Sequence, residues 1–225
     1  MTKKTKILFM GAGIFAVPVL DAIVKSESLE LVGTVTQPDK AAGRKRILTP
    51  SPLGKWADSN GVCCKRMVSV NTPEFLSEVK ELAPDIIVVV SFGQILKQPL
   101  LEAAPFGCLN VHASLLPKYR GASPIVSAVL NGDSETGVAF MQMEAGLDTG
   151  PVYEMHRYEI PPTINAGDLE QVLAGLAGEK IEACIRRIVD HGAVPEPQSA
   201  EGVLFSSKIR KCNGSICWQE DADVL

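Results

Sequence analysis

The sequence predicts an α/β fold: a Rossmann-like, mostly parallel sheet with helices on both faces. Short apolar runs alternate with helix-like stretches along the chain. Two of those runs, Leu31-Val-Gly-Thr-Val35 and Ile86-Ile-Val-Val-Val90, are rich in β-branched residues and lack polar alternation. The run at Ile7–Met10 passes through a glycine turn into the first helix. Continuous apolar strands are those covered on both faces, and intervening helices supply the crossovers that parallel pairing requires.

Strands are expected at Ile7–Met10, Leu31–Thr36, Ile86–Ser91, Cys108–Ala113 and Val138–Met143, and helices near Phe15–Lys25, Pro52–Asn60, Pro73–Leu82 and Ser123–Leu130. Leu169, Val172, Leu173 and Leu176 fall at i, i+3, i+4 and i+7, and Ile181, Cys184, Ile185 and Ile188 repeat that spacing. Asp168 to Asp190 is therefore a long amphipathic helix, ended by His191-Gly192. Beyond it, Val194-Pro-Glu-Pro-Gln-Ser-Ala-Glu-Gly202 is a linker by composition. Residues 1–192 are expected to form one domain, and 193–225 a linker and the start of a region too short for a second core.

The chain has 225 residues, 46% of them apolar and 21% charged, which is globular usage and excludes disordered, collagen-like and coiled-coil classes. The longest apolar run, Ile86 to Val90, is far too short to span a bilayer. Leu8 to Ala16 reads as a strand entering a turn rather than a secretory signal, so the 6 cysteines are expected as free thiols in a reducing cytoplasm. Formal net charge is −4, so contact with a polyanion would have to be local.

Gly11-Ala-Gly-Ile-Phe-Ala16 fits G-x-G-x-x-A, the dinucleotide fingerprint, which makes an NAD(P)-dependent oxidoreductase a rival reading. The second strand, however, ends Thr34-Val-Thr-Gln-Pro38 without the acid that would meet a ribose, and a tight strand-to-helix turn selects glycines for packing alone. The following stretch, Gln37 to Pro50, sets Lys40, Arg44, Lys45 and Arg46 against Asp39 alone. It is either a solvated loop or a phosphate-holding one; long structureless loops in compact domains tend to be functional.

Gly107 to Gly121 is the most informative stretch. Leu109, Val111 and Ala113 alternate with Asn110 and His112, so on a strand the amide and the imidazole share a face. A neutral donor beside a titratable base suits transfer to or from a carbonyl; the bland alternative is a polar strand end. Asp148 sits in Gly146-Leu-Asp-Thr-Gly150, where it is a turn former or a carboxylate brought near the imidazole.

These residues, with Ser114-Leu-Leu-Pro117, Thr36-Gln-Pro-Asp-Lys40, Gly43-Arg44, Leu48-Thr-Pro-Ser-Pro52, Phe92-Gly-Gln-Ile-Leu96 and Tyr119-Arg-Gly-Ala122, resemble the folate-dependent formyltransferases, and within them the group acting on methionyl-tRNA. The match runs from about residue 6 to about residue 210. The resemblance implies a formyltransferase-type domain with Asn110, His112 and Asp148 as the catalytic set. It implies 10-formyltetrahydrofolate as co-substrate, held by Phe92, Gly93, Gln94, Ile95 and Leu96 and by Ser114, Leu115, Leu116 and Pro117. It further implies initiator methionyl-tRNA as acceptor, contacted by Lys40, Arg44, Lys45 and Arg46, with no metal and a monomeric state. Other amine acceptors, or a folate- or tRNA-binding module without turnover, remain as alternatives.

Three departures stand out. The first turn reads Gly11-Ala-Gly-Ile-Phe-Ala16 where the family has Gly-Thr-Pro-(Asp/Glu)-Phe-Ala; the basic loop lacks the glycine after Arg44; and family members continue into a C-terminal β-barrel, whereas this sequence stops at Leu225, after an approach at Ser207-Lys-Ile-Arg210 and Gly214-Ser-Ile-Cys-Trp218. Elsewhere, Cys63-Cys64 are expected on a strand in structural, buried roles, and Cys212 and Cys217 are not expected to form a zinc site. His156 lies in a strand-like stretch and His191 at a helix end, and Met141 and Met143 are expected in the core.

Overall fold

In a computed structural model, which describes residues 3–216 and 218–221, the chain begins β1(Thr5–Gly11), α1(Ala16–Lys25), β2(Leu29–Thr36), β3(Lys40–Ala42), β4(Ile47–Thr49), α2(Pro52–Ser59), β5(Lys65–Arg66) and α3(Pro73–Leu82). It continues β6(Ile86–Val90), α4(Gln98–Leu101), β7(Cys108–His112), β8(Arg120–Gly121), α5(Pro124–Leu130), β9(Glu135–Gln142), β10(Val152–Glu159), α6(Ala166–His191) and β11(Phe205–Ser206). The main sheet has 7 strands in the order β10-β9-β7-β6-β1-β2-β5. Pairing is parallel from β7 through β5, while β9 runs antiparallel to both β7 and β10.

Two cores lie on the two faces. Ile7, Phe9, Ile86, Val88, Val90, Leu109 and Val111 point toward α1, α5 and α6; Leu8, Met10, Ile87, Val89 and Cys108 point toward α3 and α4. All of β6 is buried, and burying each such aliphatic side chain is worth roughly 1.5–3 kcal/mol. Helix starts are capped where the sequence allows it: Ser51 accepts from Gly54 N, Thr72 from Phe75 N and Asn165 from Asp168 N. Gly192, at φ +62°, closes α6 after His191.

The glycine turn is explained by packing. A Cβ on Gly11 would lie 2.8 Å from the Phe9 ring and 3.0 Å from the Val90 carbonyl, and one on Gly13 would lie 3.2 Å from Ser91 Cβ. The first turn therefore sits tightly against the end of β6.

Three expectations need correction. The stretch after β2 is not structureless: β3 and β4 form an antiparallel hairpin, pairing Lys40 with Thr49 and Ala41 with Leu48, and it turns through Gly43 (φ +68°) and Arg46 (φ +50°). Cys63 is exposed and Cys64 half-buried, and both precede the short β5 rather than lying on a strand, so neither is a core residue. The proline-rich segment after Gly192 is not free of the domain: Glu196 exchanges backbone hydrogen bonds with Val152, and β11 pairs with β8. Met141 is buried, Met143 half-buried, Cys212 is exposed, and Cys217 lies outside the described residues.

Candidate active site

Parallel register brings the carboxyl ends of β1, β6 and β7 side by side: Gly11 is level with Val90, and Val89 with Asn110. Ligands of open α/β sheets gather at this edge. Cys108, Asn110 and His112 share one face of β7. Cys108 is covered by α4, with its thiol near the Leu100 and Leu101 carbonyls, and burial pushes that thiol up to about 12. Beyond it the helical cover stops, and the loop joining β9 to β10 lies over the next two side chains.

That loop carries Asp148, whose backbone is left-handed at φ +50°. Its Oδ1 accepts from Asn110 Nδ2 at 3.4 Å, its Oδ2 accepts from the Gly121 amide at 2.8 Å, and Oδ2 lies 3.8 Å from His112 Nδ1. Asn110 and His112 are only 8% and 6% exposed, so both lie in a largely dehydrated setting. His112 Nε2 is 3.0 Å from the Tyr119 carbonyl. A carbonyl only accepts, so the Nε2 position bears a proton and a neutral ring keeps its lone pair on Nδ1, the nitrogen facing Asp148. The amide of Asn110 has one long hydrogen bond among the described residues, which leaves its second hydrogen for an incoming oxygen. An imidazole, an amide donor and a carboxylate thus meet at one point. Of these partners, the Tyr119 carbonyl and Gly121 amide escape sequence reading, because backbone groups carry no side-chain signature.

The donor-site candidates divide. Phe92, Leu96, Ser114 and Leu116 are buried structural side chains. Ser114 Oγ donates to the Lys118 carbonyl at 2.6 Å, and the amide of Gln94 bridges Val70 N and the Met67 carbonyl. Those side chains are committed to the fold, whereas Ile95 is 83% exposed; Gly93, at φ +71°, has Gln37 Nε2 2.5 Å from where a Cβ would stand. Leu115, Leu116 and Pro117 line a hollow of about 610 Å³ shared with Tyr153 and Gln198.

Lys40, Arg44, Lys45 and Arg46 all sit on the β3–β4 hairpin and are exposed. Asp39, its one acid, is held by Arg66 Nε at 3.0 Å. Among the described residues Arg44, Lys45 and Arg46 make no ion pair. Lys40 Nζ reaches neutral Gln37, whose own amide donates to the Phe92 carbonyl at 2.5 Å. The hairpin is therefore an uncompensated cationic finger, tied at its base to the segment that follows β6.

Residues 3–185 match the family model described as Formyl transferase. A methionyl-tRNA formyltransferase from Halorhodospira halophila is 43% identical over 98% of this chain and 70% of its own length. Another from Symbiobacterium thermophilum is 42% identical, again over 98% of this chain and 67% of its own. Among solved structures, an N-formyltransferase from Helicobacter canadensis, in complex with folinic acid and dTDP-3-aminofucose, superposes with a TM-score of 0.69 at 21% identity, over 97% of this chain and 77% of its own. The chain belongs to the formyl transferase family.

Proposed function

We propose that this chain transfers the formyl group of 10-formyltetrahydrofolate to the α-amine of methionine esterified to initiator tRNA, in the cytoplasm. The observation that carries the reading is the meeting of Asn110, His112 and Asp148 at one strand end. The identity to methionyl-tRNA formyltransferases and the unpaired cations of the β3–β4 hairpin support this acceptor over an amino sugar or a small nucleotide precursor. Residues 1–192 carry the chemistry, and 193–206 supply a supporting wall.

The donor brings a formyl carbon on nitrogen, and the exposed Ile95 side chain, on the segment that follows β6 beside β7, offers an apolar surface to a flat ring. Asn110 donates Nδ2–H to the formyl oxygen as negative charge develops there. His112 Nδ1 takes the proton that the attacking amine loses and delivers it to the departing folate nitrogen, so proton and charge balance without a covalent enzyme intermediate. Asp148 stabilises the transient imidazolium across the short gap to Nδ1. The Tyr119 carbonyl keeps the ring in the tautomer that leaves Nδ1 free. Lys40, Arg44, Lys45 and Arg46 hold acceptor-stem phosphates.

Incubation with 10-formyltetrahydrofolate and charged initiator tRNA tests the reading. Tetrahydrofolate and formyl-methionyl-tRNA should form in equal amounts. Folate turnover independent of tRNA, or formylation only of a small free amine, would reject this acceptor.

A further inference from the structure

The segment after α6 reads as a linker, yet one of its side chains grips the loop that carries Asp148. Gln198 Nε2 donates to the Asp148 carbonyl at 2.8 Å and to the Gly150 carbonyl at 2.7 Å. Its Oε1 accepts from Arg120 Nε at 3.0 Å and Nη2 at 2.8 Å. All of the hydrogen-bonding capacity of the Gln198 amide nitrogen is thus spent on the two carbonyls flanking Thr149, and the guanidinium behind fixes which way the amide faces.

Arg120 is itself held by the same segment. Its amide donates to the Leu204 carbonyl at 2.9 Å, Ala122 N donates to the Ser206 carbonyl at 3.0 Å, and Ser123 N donates to Ser206 Oγ at 3.1 Å. The next residue, Gly121, donates its amide to the Asp148 carboxylate, and the preceding one, Tyr119, accepts from His112. Residues 198–206 therefore support both partners of the pair: Asp148 through its backbone, and the Tyr119–Gly121 strip that orients His112 and the carboxylate.

Such a grip has a physical purpose. The left-handed region is disfavoured for residues other than glycine, least for Asn and Asp, and a residue stays there best where its surroundings fix it. Asp148 is such a residue, in a loop whose neighbours Leu147 and Thr149 are exposed. Without that anchor only the Gly121 amide and the long bond from Asn110 would hold the carboxylate near His112.

We infer that Gln198, backed by Arg120, is a positioning residue that locks the β9–β10 loop so that the Asp148 carboxylate stays within reach of His112. The inference rests on the catalytic role proposed for Asp148. Gln198 is half-buried at the surface, so Gln198→Ala should fold. It should lower kcat by at least about tenfold, with KM for either substrate changed less than about threefold, because Gln198 touches the loop and not the chemistry. In an Asp148→Ala background the same substitution should change kcat less than about twofold, since its effect passes through the lost carboxylate.

Amide hydrogen exchange supplies a readout that needs no turnover. The Gly121 amide, protected in the parent by the Asp148 carboxylate, should exchange at least about tenfold faster in Gln198→Ala and in Asp148→Ala alike. Equal slowing of the parent and Asp148→Ala enzymes by Gln198→Ala, or unchanged Gly121 exchange in Gln198→Ala, would overturn the inference. Should the parent fail to formylate methionyl-tRNA, the proposed acceptor falls, while the exchange experiment still decides whether Gln198 locks the loop.

Discussion

His112 Nε2 lies 3.0 Å from the Tyr119 carbonyl, and that hydrogen bond determines which nitrogen faces Asp148. The ring is anchored through one nitrogen and, in the proposed mechanism, reactive through the other. Glutamine can reproduce the anchor, since its Nε2 can reach the same carbonyl, but it has no titratable lone pair. Both His112→Ala and His112→Gln should therefore lose about 10²–10⁴ in kcat. Only the alanine variant should also lose about 1 kcal/mol of stability, because it leaves the Tyr119 carbonyl with the longer bond from Ser206 Oγ at 3.3 Å alone. Steady-state kinetics and urea titration separate the two effects; a glutamine variant with near-parent turnover would remove His112 as the base.

Asn110 should act on the transition state alone. Asn110→Ala is expected to lower kcat by about 10²–10³ with little change in KM for the folate. Asn110→Asp should be at least as slow, because it sets a second carboxylate where Asn110 now donates to Asp148. A variant that raises KM at unchanged kcat would show instead that the amide binds ground state and transition state equally.

The cationic hairpin should contribute affinity rather than chemistry. Arg44→Ala or Lys45→Ala should weaken tRNA binding and flatten the dependence of log K on log salt by about 0.7–0.9 for each phosphate that is no longer neutralised. kcat at saturating tRNA should stay near the parent value. Filter binding across a salt series measures the slope, and an unchanged slope would make these side chains a solvated turn.

Burial of the Cys108 thiol predicts a loss of stability in base. The folded thiol is raised from 9.0 to about 12, and Cys184 is raised in the same direction by its own burial and by Glu154. A folded pKa above the unfolded one means that the stabilisation is complete below pH 9. It is lost as pH rises toward 12, because the unfolded thiol ionises first. Above pH 9 each such thiol should cost about 1 kcal/mol per pH unit. Cys108→Ala should show a shallower decline between pH 9 and 10.5 in urea titrations. Exposed Cys63 should react with a thiol reagent well before Cys108 in the native protein.

Strand and helix identities were readable because each depends on neighbours a few residues away. The apolar run of β6, the i, i+3, i+4 spacing of α6 and the alternation around Asn110 and His112 are local patterns with one good solution each. The β3–β4 hairpin was not readable: its arms are three residues long, and Lys40, Ala41 and all of Ile47–Thr49 are exposed, so no buried face leaves a period in the sequence. Strand β10 announced itself only weakly around His156, because an edge strand carrying Arg157 and Glu159 mixes charge into its alternation.

Local chemistry could mark Asn110 and His112 as a pair, since adjacent positions on one strand face are set by backbone geometry. It could not bring in Asp148, which joins them across 38 residues of chain. Nor could it assign Gln198 a place, since a glutamine among prolines has the composition of a connector. Folding of the whole chain settled where both stand: hydrogen bonds to backbone carbonyls and amides depend on where distant segments come to rest, and such bonds leave no periodic trace in the order of residues.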